Sequence, residues 1–337
     1  MPESDGVAAP LRLHALAYSL GVTAALSAVV RLGVADALSD QPRPVAELAV
    51  DAGADAGALR QLLRALAVRG VFADVGGDRY EHTELSRLLR SGETGGKRDM
   101  VLLASAPFAW RTWASLDEAV RSGESVFPKL YGKTLFEYLA EDDPESGAVF
   151  EQAMARSGRL IADSVTEALD LSGAAHVADV GGGRGHLLKA LLEHNPSVRG
   201  TLFDLPQVIA NVDPGLRDDP RCAVVAGDAT EAVPVHADVY LLKHVIHMWD
   251  DTTAVRALRA VAAAAPSGAR IVVAEQLLDD GPALEVTTTM SLLMLVTQGG
   301  RERTGAELRA LLAAAGLRFV GITLTKSQVR LVEAVVA

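Results

Sequence analysis

Cysteine is almost absent. The chain of 337 residues holds one, Cys222, so no internal disulfide framework can form, and a reducing cytoplasm is the expected setting. Long apolar runs are also missing. The best candidate, residues 13–30 between Arg12 and Arg31, just reaches the lower limit of about 17 residues for a spanning helix. It is interrupted by His14, Ser19, Gly21, Thr23 and Ser27, which fits a buried helix and predicts no membrane segment. Blocks of positive charge are missing too. The formal net charge is -11, and a chain this acidic repels a phosphate backbone, so nucleic acid is not an expected partner. The start, Met1-Pro2-Glu3-Ser4-Asp5, has no positively charged lead into an apolar run and does not read as a secretory signal. There is no internal repeat and no low-complexity segment.

Apolar residues make up 49% of the chain and charged residues 22%, enough to build cores without wholesale disorder. The length suggests two domains at the usual ~100–200 residues each. Residues 11–30 are apolar over more than one stripe, so they are expected to be buried on most sides, against the chain itself or a second copy. Then come Val45-Ala46-Glu47-Leu48-Ala49, Gly53, and residues 59–68, where Leu59, Leu62, Leu63 and Leu66 recur at helical spacing. Residues 71–75 and 79–82 flank Gly76-Gly77-Asp78 as a short hairpin. Helix, turn, helix and hairpin make a winged-helix pattern. Arg60, Arg64 and Arg69 lie on its second helix, but the leucines around them and the acidic chain favour packing and dimerisation over DNA reading.

Residues 97–170 read as helices and loops that carry Trp110, Trp113, Phe108, Phe127, Phe136 and Phe150. Such aromatics are core by default and can also wall a pocket for a flat ligand. From Val177 short β-rich runs alternate with helical stretches: 177–180, 200–203, 222–225, 239–242 and 270–274, then 319–324 and 329–336. That alternation predicts a doubly wound parallel sheet. Only residues 325–328 separate the last two runs, which predicts a hairpin and an antiparallel final strand. The domains are therefore placed at 1–98 and 99–337.

The first of these strands ends in Asp179-Val180-Gly181-Gly182-Gly183-Arg184-Gly185, ahead of a helix over 187–194. Glycines at a strand-to-helix turn let a ligand approach the backbone. Asp179 can take the cationic amino group of an amino acid. Asp204 ends the next strand, where a ribose diol would sit, and Asp228 ends the third after Gly227. Three acids at successive strand ends suit S-adenosylmethionine (SAM), which needs contacts for its methionine end, ribose and adenine, and a negative field for its sulfonium. Taken singly, Asp204 or Asp228 is as readily a cap or turn residue. No Lys-Ser/Thr makes the loop a P-loop.

The fourth strand runs into Lys243-His244-Val245-Ile246-His247-Met248-Trp249-Asp250-Asp251. The fifth ends at Glu275, and a later loop reads Gln298-Gly299-Gly300-Arg301-Glu302-Arg303-Thr304. His247, Glu275 and Glu302 can therefore face one crevice. Methylating a phenol, with a pKa of about 10, requires a base, and a histidine oriented by a carboxylate serves. His244 is read as structural. His244, His247 and Glu275 lack a strong metal spacing, so no metal is expected.

The motifs Phe127-x-Lys129-x-Tyr131-Gly132, Phe136-Glu137-Tyr138, Asp179-Val180-Gly181-Gly182-Gly183, Phe203-Asp204-Leu205-Pro206, Gly227-Asp228, Lys243 with His247-x-Trp249-x-Asp251, Ala274-Glu275 and Gly299-Gly300-x-Glu302-Arg303-Thr304 resemble one family. It is that of the SAM-dependent O-methyltransferases related to plant caffeate and flavonoid enzymes, with bacterial members acting on antibiotic intermediates. The likeness covers nearly the whole chain. It implies a SAM-binding Rossmann-like sheet, interlocked winged-helix domains in a homodimer, and no metal. It implies that Gly181, Asp204, Asp228 and Lys243 contact SAM, with Asp179, Gly183, Leu205, Gly227 and Ala229 beside them. It makes His247 the general base, flanked and oriented by Glu275 and Glu302. Met154, Trp249 and the aromatics around Trp110 and Trp113 are placed by the substrate or cofactor. The chain departs from the family at Met248, where an aspartate is usual, and at Ala229-Thr230, where bulkier residues often pack on adenine. Two other readings stay open. One is a SAM-binding relative that decarboxylates or hydroxylates, and the other is a winged-helix regulator that binds DNA.

Overall fold

The computed structural model describes residues 5–93, 95–279, 281 and 283–337. The acidic start Met1-Pro2-Glu3-Ser4 lies outside them. The backbone divides into two compact units, Met1–Arg111 with Asp143–Arg156, and Thr112–Asp142 with Ser157–Ala337.

In the first unit the helix Ala56–Ala67 opens on Asp55, whose side chain accepts the Ala58 N–H, and buries Leu59, Leu63 and Leu66. These residues pack with Val45, Leu48, Phe72 and Tyr80 in one core. The strands Arg43–Pro44 (β1), Phe72–Asp74 (β2) and Arg79–His82 (β3) form a small antiparallel sheet in the order β1-β3-β2. This is the wing, and it completes the winged helix that the pattern predicts. Arg60 pairs with Asp78 at the wing's turn at 2.9 Å, and Arg69 caps the Ala65 carbonyl at 3.0 Å. Two of the three arginines that invited a DNA reading thus close the fold on itself.

The apolar stretch 11–30 is two helices, Asp5–Ala17 and Ser19–Arg31, bent by 49° at Tyr18. Val29 and Val30 are buried, whereas Leu11, Leu13, Leu16, Tyr18 and Leu20 are exposed in the single chain. Within the chain, burial is therefore confined to the last turns of the second helix, at Ser27, Val29 and Val30. Among the described residues no single helix is long and apolar enough to cross a membrane.

The second unit is built on seven strands, among them His176–Val180 (β4), Arg199–Asp204 (β5), Cys222–Ala226 (β6), Val239–Lys243 (β7) and Arg270–Gln276 (β8). Leu317–Leu324 (β9) and Val329–Val336 (β10) complete the sheet, in the order β6-β5-β4-β7-β8-β10-β9. The first five are parallel, and β10 runs antiparallel between β8 and β9. Side chains alternate across the sheet. Tyr240, Leu242, Ile271 and Val273 join the helices Asp251–Ala264 and Gly305–Ala314 on one face. Val239, Leu241, Val272 and Ala274 join the helix His186–His194 on the other. Burial on both faces explains why these strands read as short unbroken apolar runs. Strand order reverses between β4 and β7, and ligands of open α/β sheets bind at such a point, beyond the strands' carboxyl ends.

Candidate active site

The loop after β4 is shaped by its glycines. Gly183 has φ +62, a conformation that side chains rarely adopt, and a Cβ built on it would meet nothing within 4 Å. Its face is open for a ligand. At the end of β5 the Asp204 carboxylate is held by two backbone donors, the Gly183 N–H at Oδ2 and the Leu205 N–H at Oδ1, each at 2.7 Å. Each oxygen keeps a further lone pair, the arrangement that receives the two hydroxyls of a ribose. Burial raises the Asp204 pKa, and those two N–H groups pull against it. The Gly227 N–H donates to the Asp204 carbonyl at 3.0 Å, which joins the ends of β5 and β6. Asp228 accepts from the Thr230 N–H at 2.7 Å in a tight turn. Gly181, Gly183, Asp204, Leu205, Asp228 and Lys243 thus gather at the carboxyl ends of adjacent strands, and their donors and acceptors fit an adenosyl group.

Two of the expected contact residues have buried side chains. Asp179 is fully buried, on the helix-packed face of β4 with Val177, and a Cβ on Gly182 would strike its carboxylate at 2.5 Å. It lies beneath the loop, so a direct ion pair with a ligand's amino group is not what this geometry offers. Burial pushes its pKa up to about 7, with Lys243 opposing and Asp204 adding to the rise. Ala229 belongs to the hydrophobic core, so its side chain faces inward and not toward a ligand.

His247 sits on a single turn of 3-10 helix, Ile246–Met248, just beyond β7. Its Nδ1 lies 2.7 Å from Glu302 Oε1 and 3.6 Å from Glu275 Oε2. A carboxylate only accepts, so Nδ1 is the protonated nitrogen and Nε2 carries the lone pair. Glu275 Oε1 takes the N–H groups of Val245 and His247 at 3.1 and 3.2 Å. The two glutamates therefore divide the work. Glu302 holds the ring, and Glu275 holds the backbone beneath it. Both are buried, and the second oxygen of each, Oε2, has no hydrogen-bond partner among the described residues. Burial alone would lower the His247 pKa. The charges of Glu275 and Glu302 outweigh it, and the pKa stands above 6.5. Burial raises the Glu275 pKa, His247 opposing and Glu302 reinforcing. The three side chains offer ligand atoms within 4.8 Å of one another. The Nδ1 contact with Glu302 is nevertheless at hydrogen-bond length.

His244 has φ +54 and stacks on His247, with ring centroids 5.3 Å apart. Burial, then Lys243 and His247, hold its pKa well below 6.5, so it stays neutral. Met248 and Trp249 pack against the hydrophobic core, which accommodates a neutral side chain where the family has an aspartate. Trp110 and Met154 belong to the first unit, on the helices Pro107–Trp113 and Pro144–Ala168. Trp113 belongs to the second, packed near Leu293 and Leu295.

Three residues of the site were given no role from the sequence, although Asp251 and Arg303 stand in its motifs. The Ser291 hydroxyl accepts the Glu302 N–H at 3.2 Å. Arg303, buried, pairs with the half-exposed Asp251 beside the His247 turn at 2.8 Å. The signal available was the run Arg301-Glu302-Arg303, three charges at the end of a largely apolar segment.

Residues 113–318 match the O-methyltransferase domain family, and residues 15–92 match the O-methyltransferase dimerisation domain. The chain is 40% identical over 300 residues to the mitomycin biosynthesis 6-O-methyltransferase of Streptomyces lavendulae, covering 87% of this chain and 85% of that one. It is 36% identical to the phenazine O-methyltransferase PhzM of Lysobacter antibioticus, over 93% of this chain and 92% of that one. Among solved structures, the calicheamicin-biosynthesis methyltransferase CalO1 in its SAH-bound form superposes with a TM-score of 0.87 at 33% identity, covering 99% of this chain and all (100%) of that one. The neocarzinostatin-biosynthesis enzyme NcsB1, bound to SAM and 2-hydroxy-5-methyl naphthoic acid, gives 0.77 at 34% identity over 94% of this chain and 96% of that one. The chain belongs to the family of homodimeric, SAM-dependent O-methyltransferases.

Proposed function

We propose that this enzyme methylates a hydroxyl group on a small aromatic secondary metabolite, with His247 as the general base. The observation that carries the reading is the 2.7 Å contact between His247 Nδ1 and Glu302, which leaves Nε2 free to take a proton. Bound SAM supplies a methyl group activated by its sulfonium charge. Asp204 receives the ribose hydroxyls, while Gly181, Gly183, Leu205, Gly227, Asp228 and Lys243 complete the cradle. His247 Nε2 accepts the acceptor's proton as its oxygen bonds to the methyl carbon, and S-adenosylhomocysteine (SAH) and a methyl ether result. Glu302 and Glu275 then face an imidazolium in a water-poor site, where their charge stabilises it strongly. Holding oxygen, carbon and sulfur in line contributes several kcal/mol, on the order of what prepaid orientation supplies in such sites.

Residues 1–98 are assigned to dimerisation, and residues 99–337 to the connector and the chemistry. The place of action is the cytoplasm. The relatives named for a mitomycin, for 3-amino-4-hydroxybenzoate and for a dihydroxy-methyl-naphthoate support a substituted aromatic acceptor in antibiotic biosynthesis. One relative at 34% identity is an 8-amino-8-demethylriboflavin N,N-dimethyltransferase, so an aromatic amine is the second reading. The methyl carbon shift of the product in NMR separates the two, because a methyl on oxygen and a methyl on nitrogen resonate well apart. The test of the base is His247→Gln, assayed for SAH release on a panel of phenols and, by calorimetry, for SAH binding. Loss of turnover with binding retained supports the assignment, and unchanged turnover ends it.

A further inference from the structure

Arg303 is almost fully buried, and its guanidinium reaches both ends of the turn that carries His247. Nη1 donates to the Ile246 carbonyl at 3.0 Å and Nη2 to the Trp249 carbonyl at 2.7 Å. Asp251 Oδ1 takes Nε and Nη2 at 3.0 and 2.8 Å, so the buried charge is paired. Arg301 holds the same carboxylate from outside, at 3.0 Å, and ties it to Glu307. The Arg303 backbone is fixed in turn. Its carbonyl accepts the Leu278 N–H at 2.9 Å, next to a parallel bridge with Leu277 on the extension of the strand that bears Glu275. Its neighbour Glu302 holds the His247 ring. One dipeptide thus grips the base twice, by side chain and by backbone.

We propose that Arg303, with Asp251 as its counter-ion, is a positioning residue that keeps His247 Nδ1 within hydrogen-bond reach of Glu302. A flat fork of five donors can span the Ile246 and Trp249 carbonyls and a carboxylate together, which the single ammonium of a lysine cannot do. Loosening that fork frees the turn to drift, and a drift of about 1 Å is enough to cost a hundredfold in rate. The inference rests on the reading of His247 as the base, but its test does not need turnover.

The measurement is an NMR titration of the His247 imidazole in the SAH-bound protein, assigned with His247→Gln, for the wild type, Arg303→Lys, Asp251→Asn, Glu302→Gln and Arg303→Lys/Glu302→Gln. The expected result is a His247 midpoint about one unit lower in Arg303→Lys, a tenfold change in protonation, with a smaller shift in the same direction for Asp251→Asn. SAH affinity stays within about threefold, because no residue of the cradle is substituted. Adding Arg303→Lys to Glu302→Gln shifts nothing further, since both act through one contact. Asp251→Asn carries the test if Arg303→Lys fails to fold. An unchanged midpoint in the folded variants overturns the proposal, as does full additivity with Glu302→Gln. A His247→Gln enzyme that still methylates would instead overturn the assignment of the base while leaving the titration readable.

Discussion

At the scale of single residues, the chemistry of the site is set by how charge is buried. His247 has its pKa raised because two carboxylates outweigh the cost of its burial. Below that raised value the ring is protonated and cannot accept a proton, so kcat/KM is expected to rise with pH through a midpoint above 6.5. Glu302→Gln removes one of the supporting charges and is expected to move that midpoint to lower pH while depressing the plateau. A pH–rate series on the two proteins checks both signs. Asp179 obeys the same physics with the opposite consequence. Its folded pKa of about 7 lies above the ordinary 3.8, so the folded chain holds a proton that the unfolded chain has lost across that window. Stability is therefore whole below about pH 4 and falls as pH rises toward 7, by roughly 4 kcal/mol at ~1.4 kcal/mol per pKa unit. Asp179→Asn, a neutral side chain of the same shape, is expected to flatten the slope of ligand-free melting temperature against pH between 4 and 7. An unaltered slope in the variant means the proton resides elsewhere.

At the scale of elements, the base depends on two loops that meet backbone to backbone. A Cβ added at Gly300 would fall inside van der Waals contact of the His247 carbonyl oxygen and the Met248 backbone. Neither is the end of a flexible side chain, so the turn must move. Gly300→Ala is expected to cost ~1–3 kcal/mol of stability, as overpacking does, and to reduce turnover while SAH binding persists. Calorimetry and a thermal melt read the two effects separately, and equal losses of binding and turnover would disprove local displacement. That contact was not legible in the sequence, because a double glycine before charged residues reads equally well as a turn. The five parallel strands were legible within two residues, since buried β-rich runs between turn glycines leave few alternatives. His247 and Glu275 were legible because each ends or follows a strand at the sheet's carboxyl edge, and Glu302 because it stands in a double-glycine loop between two helices. The burial of Asp179 beneath its loop was not legible, because sequence gives strand position but not which alternating face carries the side chain. Arg303 was overlooked for a related reason. An arginine beside a glutamate looks like solvated charge until its neighbours in space are known.

At the scale of the whole molecule, the helix Asp5–Ala17 and the turn after it present Leu11, Leu13, Leu16, Tyr18 and Leu20, each 60% exposed or more in one chain. Fully burying a leucine stabilises by roughly 1.5–3 kcal/mol, so leaving four of them in water is a large cost that a second copy removes. The match to the dimerisation domain begins at residue 15, within this surface. The bend of 49° at Tyr18 has no proline or glycine to mark it, and it separates an exposed apolar helix from Ser19–Arg31, whose far end carries Val29 and Val30 into the core. One continuous helix could not serve both partners at this angle. Replacing Leu13 and Leu16 with glutamate puts two charges where the partner's apolar surface must lie, and an unpaired buried charge is far costlier than a lost contact. The double variant is expected to elute as a monomer at micromolar concentrations where the wild type is a dimer, with mass measured by light scattering. The internal core of each chain should survive, because neither side chain contributes to it, and far-ultraviolet circular dichroism should be unchanged. A variant that keeps the dimeric mass would place the interface away from this helix and leave its exposed leucines without a partner.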